Sequence, residues 1–205
     1  CLSDWSSDVC SSDLETSALR FGDDPGDTAG QLTRVIARPP VDGMPALAVV
    51  RGFLEACSDP SNDYFVARQY LQGAAAAKWD PAAGVRVYDS SGLTIVEKSS
   101  TVTLTGRLES TISTDGLRTV VDGLPVVTET LTVAKDELGQ WRIGEVPNGV
   151  LLSRSDVERS HSALAAYFLN PTLDRLVADA VVVPTSSPGL ATTLVKRLQI
   201  GRAHV

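Results

Sequence analysis

Apolar residues recur at helical spacing in the first third of this chain and at alternate positions in its middle. The first helical run predicts a helix from about Pro45 to Cys57, followed by a tight turn at Asp59-Pro60-Ser61. Gly52 lies inside this run and predicts close packing against a neighbouring strand, because glycine has no side chain to separate the two elements.

A second helical run follows, with Ser61 or Asn62 as its predicted cap and Gly73 as its end. A short third helix is predicted over 74–79 and ends before Asp80-Pro81. The inward side chains of the second helix are predicted at Tyr64, Phe65, Ala67, Tyr70 and Leu71. Helices of this kind need a further apolar surface to cover them.

From Val85 onward the apolar residues occupy every second position. Thr101–Ile112 alternates hydroxyl or charged residues with apolar ones, which predicts a long strand with one dry face. Further strands are predicted at Leu93–Lys98, Val126–Lys135 and Trp141–Ile143, separated by turn residues such as Asp115-Gly116, Asp122-Gly123 and 137–139. The fold class is therefore α+β: N-terminal helices on a curved antiparallel sheet, resembling the cone of nuclear transport factor 2 or the cystatin fold.

Residues 44–150 are predicted to form this first α+β domain, and Pro147-Asn148-Gly149 ends it. Residues 151–198 are predicted to hold a connecting helix and the truncated start of a second α+β domain. Ser155-Asp156-Val157-Glu158 matches a capping box. Beyond it we expect a hairpin over 167–177, a strand at 181–184, and an amphipathic helix with Leu190, Leu194 and Leu198 on one face.

Both ends of the chain carry an unusual pattern. Residues 8–14 can be encoded by a nucleotide string whose reverse complement encodes 199–205 in frame. Unrelated protein segments are not expected to show this relationship, so 1–14 and 199–205 are predicted to be adapter-derived segments and are left out of the fold. Residues 15–43, rich in Gly, Asp, Thr and Pro, are predicted to form an extended linker.

The amino-acid composition argues against several classes of partner and site. The formal net charge of −7 argues against a nucleic-acid partner, and no apolar run approaches the roughly 20 residues that span a bilayer. Without the two end segments, Cys57 and His161 are the only cysteine and histidine. An internal disulfide and a multi-histidine metal site are therefore not expected, and Cys57 is interpreted as a small buried hydrophobic residue. The carboxylates of 23–27 are interpreted as a solvated turn rather than a cation site.

We predict no catalytic, metal or cofactor site and no enzymatic activity. The inward-facing candidates for a pocket in the cone are Tyr64, Tyr70, Trp79, Glu129 and Trp141. Glu129 could act there as a general base, although a carboxylate between two threonines favours the solvent-exposed face of the strand.

A second candidate group combines Ser153, Ser155 or His161 with Asp156, as a nucleophile and its base. Its spacing fits helix capping better, and His161 is interpreted as a helix-surface histidine. Arg51, Arg68 and Glu55 are expected to form salt bridges between neighbouring helices.

Several short motifs follow one another along the chain in a distinctive order. They are Gly43-Met44-Pro45, Val49–Leu54, Asp59-Pro60, Ala67–Leu71, Trp79-Asp80, Gln140–Ile143, Pro147–Val150, Tyr167-Phe168 and Asn170-Pro171. In this order, over about residues 30 to 198, the chain resembles the N-terminal region of the actinobacterial LpqB lipoprotein family. Pro45-Ala46 departs from the Asp-Pro expected at the start of the first helix, a difference that concerns helix capping.

The resemblance implies a longer, extracytoplasmic protein with a lipid-anchored cysteine upstream of Glu15, a GerMN-type domain starting near Tyr167 and a C-terminal β-propeller. It implies an accessory lipoprotein on the outer face of the cytoplasmic membrane, bound to the extracellular domain of an MtrB-like sensor histidine kinase. Through that contact it would modulate two-component signalling in cell-wall and division control. The alternative is a cone domain that binds a small ligand or acts as an enzyme.

Overall fold

Helices form the first part of the computed structural model, which describes residues 37–89, 91–169, 176–185 and 195, and strands follow them. The helices are Ala46–Ala56 (α1), Ser61–Gln69 (α2), Gly73–Lys78 (α3) and Arg154–Ser160 (α4), with a 3-10 turn at Pro81–Ala83. The strands are Val85–Tyr88 (β1), Thr94–Lys98 (β2), Thr101–Ile112 (β3), Arg118–Val120 (β4), Val126–Lys135 (β5), Trp141–Glu145 (β6), Val150–Ser153 (β7), His161–Leu169 (β8) and Leu176–Pro184 (β9). The predicted α+β class is confirmed.

Helix α1 is buried along one face. Of the apolar positions whose spacing predicts that face, Val50 and Cys57 are buried, whereas Leu47 and Leu54 are only partly buried. Val49, Val50 and Phe53 are almost completely buried, and Arg51 and Glu55 are exposed. The interhelical salt bridges expected of Arg51 and Glu55 are not formed with any residue in the described part of the chain. Arg68 pairs with Asp63 of its own helix, at 2.7 Å.

Helix α2 begins differently from the prediction. Its N-cap residue is Pro60 rather than Ser61 or Asn62, and the Ser61 N–H donates to Asp59 Oδ1 at 3.1 Å. Asn62, Asp63 and Tyr64 have positive φ angles of 51°, 57° and 57°. This left-handed first turn changes the direction of the side chains that follow. Tyr64, Ala67, Tyr70 and Leu71 are buried as predicted, whereas Phe65 is 59% exposed, so the inward position predicted for Phe65 is wrong.

The long strand β3 organises the main sheet, whose path runs β6-β5-β3-β1-β7 with β2 and β4 also paired to β3. Strands β2 and β1 pair with successive parts of β3, and β5 and β4 do the same. The alternation predicted for β3 is observed, since Val102 and Leu104 are buried between partly exposed threonines. Its bounds and those of β5 match the prediction.

The strand pairings of the main sheet are antiparallel, as predicted, except for the pairing of β1 with β7, which makes the sheet mixed. Strand β7, which the sequence pattern did not predict, pairs in parallel with β1, with Val85 opposite Val150 and Tyr88 opposite Ser153. A parallel neighbour requires a long crossover connection, and here the connection contains the strands β2 to β6. The domain limits at 44–150 and 151–198 stay predictions.

The β8–β9 hairpin follows α4. Its strands pair in register from His161 opposite Pro184 to Leu169 opposite Leu176, so a hairpin is found where one was predicted, with longer strands than the predicted 167–177. The predicted strand at 181–184 is part of β9, and 170–175 lie outside the described residues. The Val182 N–H donates to the Gly116 carbonyl at 2.8 Å and connects the hairpin to the β3–β4 turn. The predicted linker up to residue 36, the 23–27 turn, the two end segments and the helix with Leu190, Leu194 and Leu198 lie outside the described residues.

Candidate functional site

Two motifs far apart in the sequence meet in one hydrogen-bonded junction, formed by Trp79, Asp80 and Gly84 with Asn148 and Gly149. The Trp79 indole N–H donates to the Gly149 carbonyl at 3.1 Å. The Gly149 N–H donates to the Asp80 carbonyl at 2.7 Å. The Asp80 N–H donates to Asn148 Oδ1 at 3.0 Å. We call this set the Trp79–Gly149 junction; it joins the end of the helical region to the start of β7.

Glycine is required at the centre of this junction. Gly149 has a φ of +80°, and a Cβ built on it would lie 2.5 Å from the Gly84 carbonyl oxygen. A side chain there would meet both a strained backbone angle and a rigid backbone atom. The Asn148-Gly149 motif is therefore explained by packing.

Two other motif glycines have similar structural roles. A Cβ on Gly52 would lie 2.6 Å from the ring of Tyr70, so the predicted close approach is confirmed, but its partner is the side chain that follows α2 and not a strand. The Tyr70 hydroxyl in turn donates to the Arg38 carbonyl at 2.8 Å. The Gly43 N–H donates to Gln140 Oε1 at 2.7 Å, which connects the start of α1 to the β6 motif.

Aromatic side chains fill the interior between the helices and the sheet. The Trp79 ring contacts Phe53 and Tyr64 edge to face, with centroid distances of 5.4 and 5.8 Å. The Arg68 guanidinium lies 5.4 Å from the centroid of the same ring and donates to the carbonyls of Ala76 and Trp79 at 2.5 and 3.2 Å. The inward positions predicted for Tyr64, Tyr70 and Trp79 are confirmed, and Trp141 is half-buried against the core.

Glu129 is the principal candidate from the sequence, and its solvent-facing interpretation is wrong. It lies on the same face of β5 as the buried Leu131 and Val133, and its side chain is 10% exposed. Its carboxylate forms an ion pair with Arg86 of β1, whose side chain is 30% exposed. The ion pair compensates a charge that would be costly to bury alone. The Arg86 Nη2 also donates to the Asn148 carbonyl at 3.1 Å, which connects the pair to the Trp79–Gly149 junction.

Sequence reasoning missed Arg86. The available signal was its position as a lone charge between Val85 and Val87 in a strand, whereas Glu129 stands between two threonines. Each is the only charge of its sign in its strand, and two such residues are candidates for a pair, although the sequence does not show that the strands meet.

The space beside Glu129 is small. It borders Phe53, Cys57, Leu104 and Glu129 and has a volume of about 10 Å³. This is close to the minimum for one water molecule, and a metabolite needs several hundred cubic ångströms. The carboxylate therefore has no room for a substrate beside it, which argues against its use as a general base in this conformation.

Cys57 and Tyr64, two titratable groups of this interior, are held in their neutral forms. Burial raises the pKa of the Cys57 thiol, and the nearby Glu129 carboxylate raises it further. Burial likewise raises the pKa of Tyr64, with smaller contributions from Cys57 and Asp63. Cys57 is an unreactive core residue, as predicted, because the thiolate is the reactive form of cysteine.

The second candidate group separates in the structure. Ser153 and Asp156 form a capping box at the start of α4, so the cap is Ser153 and not Ser155. His161 is buried at the start of β8, where its Nδ1 lies 2.8 Å from the Ser160 hydroxyl; its predicted place on a helix surface is wrong. Burial lowers the pKa of His161 to about 4. Ser153 is thus used as a helix cap, and His161 is placed at the other end of α4.

Residues of the described ranges border two open grooves on the surface. One, of about 400 Å³, runs between α1 and α4 and is bordered by Arg38, Glu55, Tyr88 and Arg159. The other, of about 630 Å³, lies between α3 and the segment after β6 and is bordered by Lys78, Thr130, Glu145 and Asn148. In the part of the chain that the structure describes, no cluster of three or more His, Cys, Asp and Glu side chains could hold a metal ion. The same residues include no helix long and apolar enough to cross a membrane.

Comparison with known proteins gives a consistent result. Residues 39–158 match the family model described as "Lipoprotein LpqB, N-terminal domain". Three curated relatives named Lipoprotein LpqB come from Cutibacterium acnes, Streptomyces coelicolor and Mycolicibacterium smegmatis. The first is 34% identical over 87% of this chain and 30% of its own length. The second is 33% identical over 66% and 23%, and the third is 30% identical over 86% and 32%.

The chain thus spans a third or less of the length of these relatives. No solved structure matches it significantly. The family match covers the helices, the main sheet and most of α4, and it includes every residue of the Trp79–Gly149 junction. On these grounds the chain belongs to the LpqB lipoprotein family.

Proposed function

We propose that this chain supplies a non-enzymatic binding domain of an accessory lipoprotein, held on the outer face of the cytoplasmic membrane by a lipid anchor. Its partner is the extracellular domain of an MtrB-like sensor histidine kinase, and the contact modulates two-component signalling in cell-wall and division control. Family membership and the relatives' name of lipoprotein support this proposal.

The observation that favours binding over catalysis is the filled interior. The residues that a cone-shaped enzyme would place in its pocket are used here for packing: Trp79 contacts two aromatic rings, and Glu129 is paired with Arg86 beside a cavity of about 10 Å³. With the interior filled, the outer surface is left for recognition.

Tethering makes a weak surface contact sufficient. A lipid anchor and an extended linker hold the domain close to the membrane, where the extracellular domain of a sensor kinase also lies. Once the anchor is in the membrane, the contact between the domain and the kinase forms at an effective concentration that reaches the millimolar range for short linkers. A domain without a deep pocket can bind its partner under these conditions through a modest area of surface.

The test is direct binding between the complete ectodomain and the purified kinase extracellular domain, measured by calorimetry or biolayer interferometry. We expect saturable association that Glu129→Gln, checked to be folded, does not change. An absence of association when circular dichroism shows both proteins folded would overturn the proposal. A metabolite that copurifies with the domain and is lost on Glu129→Gln would favour the ligand-binding alternative.

A further inference from the structure

Asn148-Gly149 is chemically unusual as well as structurally important, because it is the only Asn-Gly pair in the sequence. An asparagine before glycine is prone to spontaneous deamidation, since glycine has no side chain to hinder the approach of its backbone nitrogen to the asparagine amide. The Gly149 nitrogen attacks Asn148 Cγ, a C–N bond forms, and ammonia leaves to give a succinimide. Water then opens the ring to aspartate or isoaspartate, with nothing oxidised or reduced.

The fold engages both reacting groups of this pair. The Gly149 N–H, which must lose its proton to attack, donates to the Asp80 carbonyl at 2.7 Å. The side-chain oxygen of Asn148 accepts from the Asp80 N–H at 3.0 Å. Asp80 therefore holds both reacting groups. Its carbonyl accepts from the Gly149 nitrogen, which is the nucleophile, and its N–H donates to the side-chain amide of Asn148, which carries the electrophilic carbon. Gly149 is buried, and its carbonyl is bonded to the Trp79 indole.

We infer that the Trp79–Gly149 junction protects Asn148 from deamidation in the folded protein, and that opening of the junction makes this residue a site of irreversible modification. Isoaspartate inserts an additional methylene group into the backbone next to Gly149. This added methylene changes the spacing between the Asn148 side chain and the Gly149 N–H, which the junction holds on the N–H and the carbonyl of the same residue, Asp80. A chain that carries isoaspartate at position 148 therefore cannot rebuild the junction as it was.

The experiment compares the whole chain in mildly alkaline buffer with and without denaturing urea, and peptide mapping by mass spectrometry follows aspartate and isoaspartate at Asn148. Modification through an open minority scales with the open fraction, so we expect at least a roughly tenfold slower rate in the folded protein. Asn62-Asp63, which is exposed, is the internal reference. Equal rates at Asn148 in the two conditions would overturn the inference.

Two variants separate protection by the junction from general stability. Trp79→Phe removes the indole N–H but keeps an aromatic ring, and we expect faster modification at Asn148 with little change at Asn62. Asn148→Gln keeps an amide oxygen but cannot close the five-membered ring efficiently, and we expect no product at this position in either buffer. Product accumulation at Asn148 in a chain that retains its native circular dichroism, at the rate seen in urea, would contradict protection.

Discussion

Glu129 and Arg86 form an ion pair across β3, which lies between their own strands β5 and β1 in the sheet. Because β5 and β1 are not hydrogen-bonded to each other, the pair adds a side-chain link between them as well as balancing two charges. The connection of Arg86 to the Asn148 carbonyl extends this link to β7.

Breaking this pair from one side should destabilise the protein. Glu129→Gln leaves the Arg86 charge without a partner, and we expect the free energy of unfolding to fall by about 2–4 kcal/mol, somewhat below the loss for a fully buried pair. Urea denaturation measures the loss. The double variant Glu129→Leu/Arg86→Met should recover part of it, because no charge is then left unpaired. Equal stability of Glu129→Gln and the original chain would contradict this account.

Gly149→Ala should be much more damaging than alanine at another glycine with the same backbone angle. Gly123 has a φ of +77°, but a Cβ added there would have no atom within 4 Å, so Gly123→Ala should cost only about 1 kcal/mol. Gly149→Ala adds the contact with the Gly84 oxygen, and we expect a loss of more than about 3 kcal/mol. The difference in urea midpoint measures the steric effect alone, and equal losses would show that the junction tolerates a side chain.

Gly52 and Gly73 form a second matched pair, both without a positive φ. Gly52→Ala would bring a methyl group against the Tyr70 ring, and we expect a loss of about 1–3 kcal/mol. Gly73→Ala meets nothing within 4 Å in α3, and alanine should stabilise that helix by about 0.5–1 kcal/mol. Thermal unfolding should therefore give shifts of opposite sign for the two variants. Shifts of the same sign would contradict the Gly52–Tyr70 contact.

His161 should make stability depend on pH in mildly acidic solution. Burial lowers its pKa in the folded protein from 6.5 to about 4. Between these values the unfolded chain binds more protons, so stability rises with pH and falls on acidification, by up to about 3 kcal/mol from this group. His161→Gln should flatten the unfolding free energy over this pH range relative to the original chain. An unchanged slope would show that His161 is accessible to protons in the folded state.

Exposed valines near the β4–β5 turn offer the first surface to test for kinase binding. Val120 is 69% exposed and Val126 is 68% exposed, and apolar groups on a surface often mark an interface. We expect Val120→Asp/Val126→Asp to weaken binding at least about tenfold, the effect of losing roughly 1.4 kcal/mol. Leu138→Asp is the control, because Leu138 is 83% exposed in a different turn. Equal affinity of the valine double variant and the control would exclude these two valines from the interface.

The local spacing of apolar residues predicted the elements that are defined by residues close together in the sequence. Helix α1 and the strands β3 and β5 follow the apolar spacing, because each has one face against the core. Phe65 differs because the left-handed turn at Asn62–Tyr64 changes the direction of the helix face, and the sequence does not show such a turn.

The local sequence pattern did not predict the burial of the interior polar residues. Glu129 alternates with threonines as a solvent-facing residue would, and its burial depends on Arg86, a partner 43 residues earlier in the chain (129 − 86). His161 follows a capped helix, but it is the first residue of β8 and not part of the helix surface. The environment of Glu129 is set by a partner distant in the sequence, and that of His161 by the start of a new strand.

The parallel pairing of β1 with β7 also has a consequence for biosynthesis. Val85 and Val150 are 65 residues apart in the chain (150 − 85), so this pairing closes a long loop and depends on contacts that form slowly. While the ribosome is still making residues before Ser153, the strand β1 has no complete β7 to pair with. The hydrogen bond from the Val150 N–H to the Gly84 carbonyl is then not yet secured by that pairing. A nascent chain paused before that point would expose the edge of β1, where another unfinished copy could bind and aggregate.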